Sequence, residues 1–150
     1  WGPTALLPVF QTLGTKYNKI AIDSMYLNQQ KQFDKFTRIS FTYPDAVASV
    51  KIGVGVKSEG ELIISGTKGY IYVPAPWWKP AYFEIRYENQ TENKRYFYQL
   101  DGEGIRYVIA AFIKSISSPV GKYSYIENEV LREISKIFEE FYDNKVNILM

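Results

Sequence analysis

Apolar positions change period twice along the chain. Ala5, Leu6, Val9, Phe10 and Leu13 recur at helical spacing and predict a helix over 3–13. Pro3 suits its first turn and Gly14 the position past its end, while Pro8 inside it implies a kink or a late start. The period then falls to two. Ile20, Ile22 and Ser24 oppose Ala21, Asp23 and Met25, and Thr37, Ile39, Phe41 and Tyr43 oppose Arg38, Ser40 and Thr42, so strands are expected over 18–28 and 36–43 with a polar connection over 29–35. Ala48, Val50, Ile52, Val54 and Val56 predict a long third strand after the Pro44-Asp45 turn. Shorter strands follow over 61–65, 70–73, 83–88 and 95–100. From Ile105 the period returns to helical through Val108, Ile109, Phe112, Ile113 and Ile116, and again from Tyr125 to Tyr142 through Ile126, Val130, Leu131, Ile134, Ile137, Phe138 and Phe141. The tail after Asp143 is expected to be loosely held.

One helix, about seven strands on short connections and then two helices is the α+β order. The expected architecture is an open, predominantly antiparallel (mixed) β-sheet with helices packed on one face. An aromatic-rich opposite face needs cover, so we expect a homodimer through the sheet.

The pattern breaks most sharply at GTKGYIYVPAPWWKPAYFEIRYE, residues 66–88. Gly66 and Gly69 are expected to bracket a turn at positive φ, and Pro74 and Pro76 to end the strand before Trp77, Trp78 and Lys79. Adjacent tryptophans on a loop offer ring faces for sugars or flat ligands. They serve equally well as a cap on the core. The candidate substrate-binding residues are Trp77, Trp78, Lys79, Tyr82, Arg86, Arg106 and Tyr107. Arg86 alternates with Glu84 and Glu88, which favours an ion-pair ladder, and Arg106 follows Gly104 at a helix start, where anions are favoured.

Composition narrows the chemistry. The chain of 150 residues is long enough for one domain with its own core. It has no cysteine, which removes disulfides and thiol catalysis, and no histidine, which removes a Ser-His-Asp triad and His metal sites. Acid–base work would fall to Asp, Glu, Lys or Tyr, and no residue here is assigned that role. Net charge is +2 with both signs interspersed, so no nucleic-acid partner is expected. No apolar run approaches the length of a membrane helix, and a cytoplasmic location is expected. The chain opens on Trp1 in mid-pattern, which implies a piece of something longer.

The segments ALLPVFQTLG at 5–14, EGELIISGTKGYIYVP at 59–74, GEGIRYVIAAFIKSI at 102–116 and IENEVLREISKIFEEF at 126–141 resemble, in order and spacing, the C-terminal domain of the glucose–fructose oxidoreductase, inositol dehydrogenase and rhizopine catabolism (Gfo/Idh/MocA) family. The turn into GYIYVP is the most specific piece. The resemblance implies a single domain over 1–150 that is the substrate-side, dimerising half of an NAD(P)-dependent oxidoreductase acting on a sugar, sugar derivative or polyol. It implies a separate N-terminal Rossmann domain holding NAD or NADP, with none bound by this chain alone. The family's Glu-Lys-Pro motif is absent: Lys79-Pro80 follows Trp78, so that catalytic role does not carry over. The family's Asp and His would stand just before the helix at 5–13, and no His is present. The alternatives are a non-catalytic carbohydrate-binding module and an oligomerisation domain.

Overall fold

The computed structural model describes residues 1–28, 33–118, 126–143 and 145–149. The polar run at 29–32 and the start of the last predicted helix at Tyr125 lie outside these residues. The fold is α+β, and its strands form two four-stranded, mostly antiparallel sheets in two compact units. One unit comprises residues 1–58 and 125–150, the other 59–124.

The first unit holds α1 (Gly2–Leu13), β1 (Lys19–Tyr26), β2 (Asp34–Thr42), β3 (Val47–Gly53), α3 (Asn128–Tyr142) and β8 (Asn147–Ile148), with strand order β3-β2-β1-β8. Pro8 is accommodated inside α1, which begins at Gly2 rather than late. Gly14 ends it at φ 76°, a conformation that costs a residue with a Cβ, and its amide donates to the Phe10 carbonyl. The inward faces of β1, β2 and β3 supply Ile22, Ile39, Phe41 and Val50, which pack with Leu6 and Phe10 of α1 and Val130, Ile134 and Ile137 of α3. This helices-on-one-face layering buries the stripe of α3 as its spacing predicts. The third strand stops at Gly53, three residues short of expectation, and Val54 and Val56 are exposed. The tail is not loose. Asn147 and Ile148 pair in parallel with Asp23 and Ser24, the Asn147 amide donates to Asp23 at 3.0 Å, and the Leu149 amide donates to the Ser24 carbonyl at 2.9 Å.

Tyr17 lies under α3, where its hydroxyl donates to Glu133 at 2.5 Å. Burial, then this bond to a carboxylate, pushes its phenol well above the ordinary value near 10. A raised pKa makes the folded state hold the proton more tightly, so the associated stability is complete below pH 10 and is lost as pH rises beyond it. Tyr17→Phe should therefore cost roughly 1 kcal/mol at neutral pH and should unfold less steeply with pH above 10. Urea titrations at pH 7 and pH 10.5 check this; an unchanged alkaline slope would exclude Tyr17 as its source.

The second unit holds β4 (Leu62–Ser65), β5 (Gly69–Val73), β6 (Tyr82–Tyr87), β7 (Lys94–Phe97) and α2 (Ile105–Ser117), with strand order β4-β5-β6-β7. Gly66 and Gly69 bracket the turn between β4 and β5 as expected, the Gly66 amide donating to the Gly69 carbonyl at 2.8 Å, though neither has positive φ. Gly69 is required for closeness: a Cβ there would stand 2.3 Å from the Arg86 carbonyl oxygen on β6. A 3-10 turn at Gln90–Glu92, capped by the Asn89 side chain, joins β6 to β7. The stripe of α2 forms as a helix, but none of its residues is buried, and Val108 and Phe112 are 69% and 62% exposed. No helix of the described residues is long and apolar enough to cross a membrane.

Candidate functional site

All seven sequence candidates fall in the second unit, in three groups. Trp77, Trp78 and Lys79 form the corner between β5 and β6. The Trp77 amide donates to the Gly60 carbonyl at 3.0 Å and the Lys79 amide to Pro76 at 2.9 Å, which fixes the turn. The two indoles meet edge to face, with centroids 6.1 Å apart and planes at 88°, and Trp78 is half exposed. They are thus two differently oriented faces rather than one flat platform. Lys79 pairs with Glu103 at 2.6 Å. Near the start of α2, Arg106 pairs with Asp101 at 3.0 Å, and the Asp101 amide donates to the Tyr107 hydroxyl at 2.9 Å.

Tyr82 and Arg86 lie on one face of the second sheet. Alternation and register bring Tyr70 opposite Arg86, Tyr72 opposite Glu84, Glu84 opposite Arg95, and Tyr82 opposite Phe97. Glu84, only 8% exposed, is gripped on both oxygens: Arg86 reaches one at 2.5 Å and Arg95 the other at 2.5 Å. The Arg86 guanidinium also sits 4.4 Å over the Tyr72 ring and donates to the Tyr70 hydroxyl at 3.2 Å, and Arg95 lies 4.7 Å over Tyr82. These stacked forks are the arrangement for which arginine is suited. The sequence singles out Arg86 but not Arg95, which grips the same carboxylate, nor Tyr70, which accepts from Arg86; the signal was Glu84 standing between apolar Phe83 and Ile85 on a strand.

Hydrogen bonds from Arg95 and then Arg86 hold the Glu84 carboxyl below the ordinary range, against the opposing effect of burial. A lowered pKa contributes stability above the unfolded value, near 4.3 for Glu, that is lost as pH falls through the folded value. Glu84→Gln should flatten the acid limb of the stability profile below about pH 4.3. Asp23 is also lowered, by hydrogen bonds from Asn147 and then Arg38, and remains in the variant. Acid titration of both proteins by circular dichroism measures the difference, and superimposable limbs would count against the assignment.

Among the described residues, the first unit has at least two cavities. One of 600 Å³ opens beside the end of α1 and the start of α3, lined by Gln11, Gly14, Lys16, Glu127 and Glu129. There Thr15 donates to Glu129 at 2.6 Å. The other, of 230 Å³, is lined by Leu6, Ile39, Ile52, Phe138 and Phe141 together with Asp34 and Thr37. No residue lining this second cavity is among the seven sequence candidates. Its signal was visible as two polar residues, Ser24 and Thr37, on otherwise apolar strand faces; they are register partners across β1 and β2. Among the described residues no cluster of three or more Asp or Glu is placed to hold a metal ion.

No protein-family model matches the sequence, and no curated protein does. Solved structures do. KijD10, a 3-ketoreductase from Actinomadura kijaniata in complex with NADP and TDP-benzene, superposes at a TM-score of 0.73 with 10% identity over 99% of this chain and 45% of its own. A probable oxidoreductase, yhhX, gives 0.65 with 16% identity over 95% and 46%. The oxidoreductase yvaA from Bacillus subtilis gives 0.66 with 11% identity over 96% and 48%. The chain spans about half the length of each. These oxidoreductases belong to the Gfo/Idh/MocA family. At such identities the likeness is one of fold, and at that level the resemblance read from the sequence holds.

Proposed function

We propose that this chain is the C-terminal, substrate-side and oligomerising half of an NAD(P)-dependent oxidoreductase acting on a sugar, sugar derivative or polyol. One observation carries the reading: nearly the whole chain, 99% of it, takes the fold of about half of a 3-ketoreductase that binds NADP. In this reading an N-terminal Rossmann domain holds NAD or NADP and supplies the base, and the chain by itself is inactive. The protein is cytoplasmic, with no nucleic-acid or membrane partner. The homodimer forms through the sheet.

Substrate contacts come from the candidates at the corner and on the sheet. Lys79, Arg86 and Arg106 each already hold a carboxylate, so they act as oriented donors rather than as free charges. A second reading, a non-catalytic carbohydrate-binding module, draws on the half-exposed Trp78. Expression of the complete natural reading frame separates the two. NAD(P)-linked oxidation of sugars or polyols, with a Gly-rich βαβ turn upstream, is the expected result. A complete frame that lacks such a turn and gives no dinucleotide-dependent activity would overturn the proposal.

A further inference from the structure

The buried polar residues of the first unit converge on one carboxylate. Ser24 and Thr37 are 0% and 3% exposed, in a layer otherwise built of Ile22, Ile39 and Phe41. Two hydroxyls in such a layer are costly unless paired, and here they are paired in a fixed direction. Thr37 has one hydroxyl proton, which goes to Asp34 Oδ2 at 2.8 Å. The 2.7 Å bond between Ser24 and Thr37 then takes its proton from Ser24, whose other acceptor, the Phe36 carbonyl, is farther away at 3.5 Å. The relay ends on Asp34 and pins one of its oxygens. Among the described hydrogen bonds none reaches Asp34 Oδ1.

Asp34 and Thr37 also line the 230 Å³ cavity, whose remaining wall is aliphatic and aromatic, the aromatic side chains including Trp1 and Tyr142, which carry an N–H and a hydroxyl. That volume is below the ~300–1,000 Å³ of drug-sized sites, so the occupant is about one ring in size. No Lys or Arg side chain lines the cavity and Asp34 is its carboxylate, so a ligand that brings donors to that carboxylate is favoured over a phosphate. An oriented acceptor beside Leu6, Ile52 and the Phe138 and Phe141 rings suits a molecule with CH-rich faces and hydroxyl or ammonium donors at its edge.

We propose that the cavity lined by Asp34, Thr37, Ile52 and Phe138 binds one neutral or amino-substituted sugar ring, with the Asp34 carboxylate accepting its hydroxyl or ammonium protons. The inference rests on the reading of this chain as a substrate-side half. It adds a ring site in the first unit to the contacts proposed at the Trp77–Trp78 corner.

The test is saturation-transfer NMR on the 150-residue chain with glucose and with glucosamine as probes. Asp34→Asn keeps an oxygen for the Thr37 hydroxyl while placing an amide donor where a ligand's donor would arrive. Ile52→Phe fills the cavity and leaves Asp34 intact. Melting curves confirm that each variant is folded. Saturable binding in the wild type, weakened about tenfold or more by Asp34→Asn and abolished by Ile52→Phe, is expected. Should Asp34→Asn fail to fold, loss of binding in Ile52→Phe alone carries the same weight. Binding that both folded variants retain would place the sugar elsewhere and overturn this inference, leaving the substrate-side reading intact. No binding of either sugar to the wild type would overturn it as well, while the oxidoreductase reading is decided separately by the complete reading frame.

Discussion

Phe41→Ala should lower the stability of the first unit by about 3–5 kcal/mol, the largest single loss expected in the molecule. Phe41 is 1% exposed near the end of β2, between Ile20 of β1 and Ala48 of β3. Its ring meets Phe10 at 5.5 Å and Tyr17 at 5.2 Å, both edge on. Truncation removes the transfer energy of the ring and leaves a hole that a strand paired on both sides cannot collapse to fill. Urea denaturation followed by far-ultraviolet circular dichroism measures the loss. A change under about 1 kcal/mol, the ordinary effect of a point mutation, would mean that this aromatic cluster is not the centre of the core.

Gly69→Val should have the largest effect in the second unit, about 1–3 kcal/mol or more. The atom that a Cβ would strike, at 2.3 Å, is the backbone carbonyl oxygen of Arg86, which cannot swing aside as a side chain would. Relief requires β5 to part from β6 where Gly69 pairs with Tyr87. The next pair along is Tyr70 with Arg86, so the strain also pulls on the grip of Arg86 on Glu84. A lower melting temperature and altered fluorescence from Trp77 and Trp78 are the expected readouts. A melting temperature equal to wild type would show that the strands separate without cost.

Much of the fold was legible because its elements obey simple periods. Ile20, Ile22 and Ser24 do lie on one face, as do Thr37, Ile39 and Phe41, since alternation is imposed by the pleat itself. The stripe of α3 is buried as its spacing implies, through Val130, Ile134 and Ile137. The stripe of α2 is equally regular and is not buried. Periodicity says which face is apolar but not what covers it. The short β8 was missed because a two-residue strand has no period to read; it is held by Asn147 on Asp23 and by backbone pairing.

The sites divide along the same line. Trp77, Trp78 and Lys79 stood out because their proline-bracketed corner is contiguous, and Arg86 because it alternates with glutamates. Glu84 and Arg95 are 11 residues apart and meet only through the register of β6 and β7. Ser24, Thr37 and Asp34 meet through the register and bulge of β1 and β2.

By itself, then, the sequence determined what each local segment becomes: the helices, most strands, the α+β order, and the exclusion of cysteine and histidine chemistry. Those properties depend on neighbours a few residues away, whose sterics and polarity set backbone geometry directly. The tertiary structure decided the rest. Division of the strands between two sheets, the seat of Glu84 between two guanidiniums and the relay from Ser24 to Asp34 all depend on which strand pairs with which, and in what register. Cross-strand register brings together residues remote in sequence, and a slip of one residue would turn each of those side chains to the opposite face.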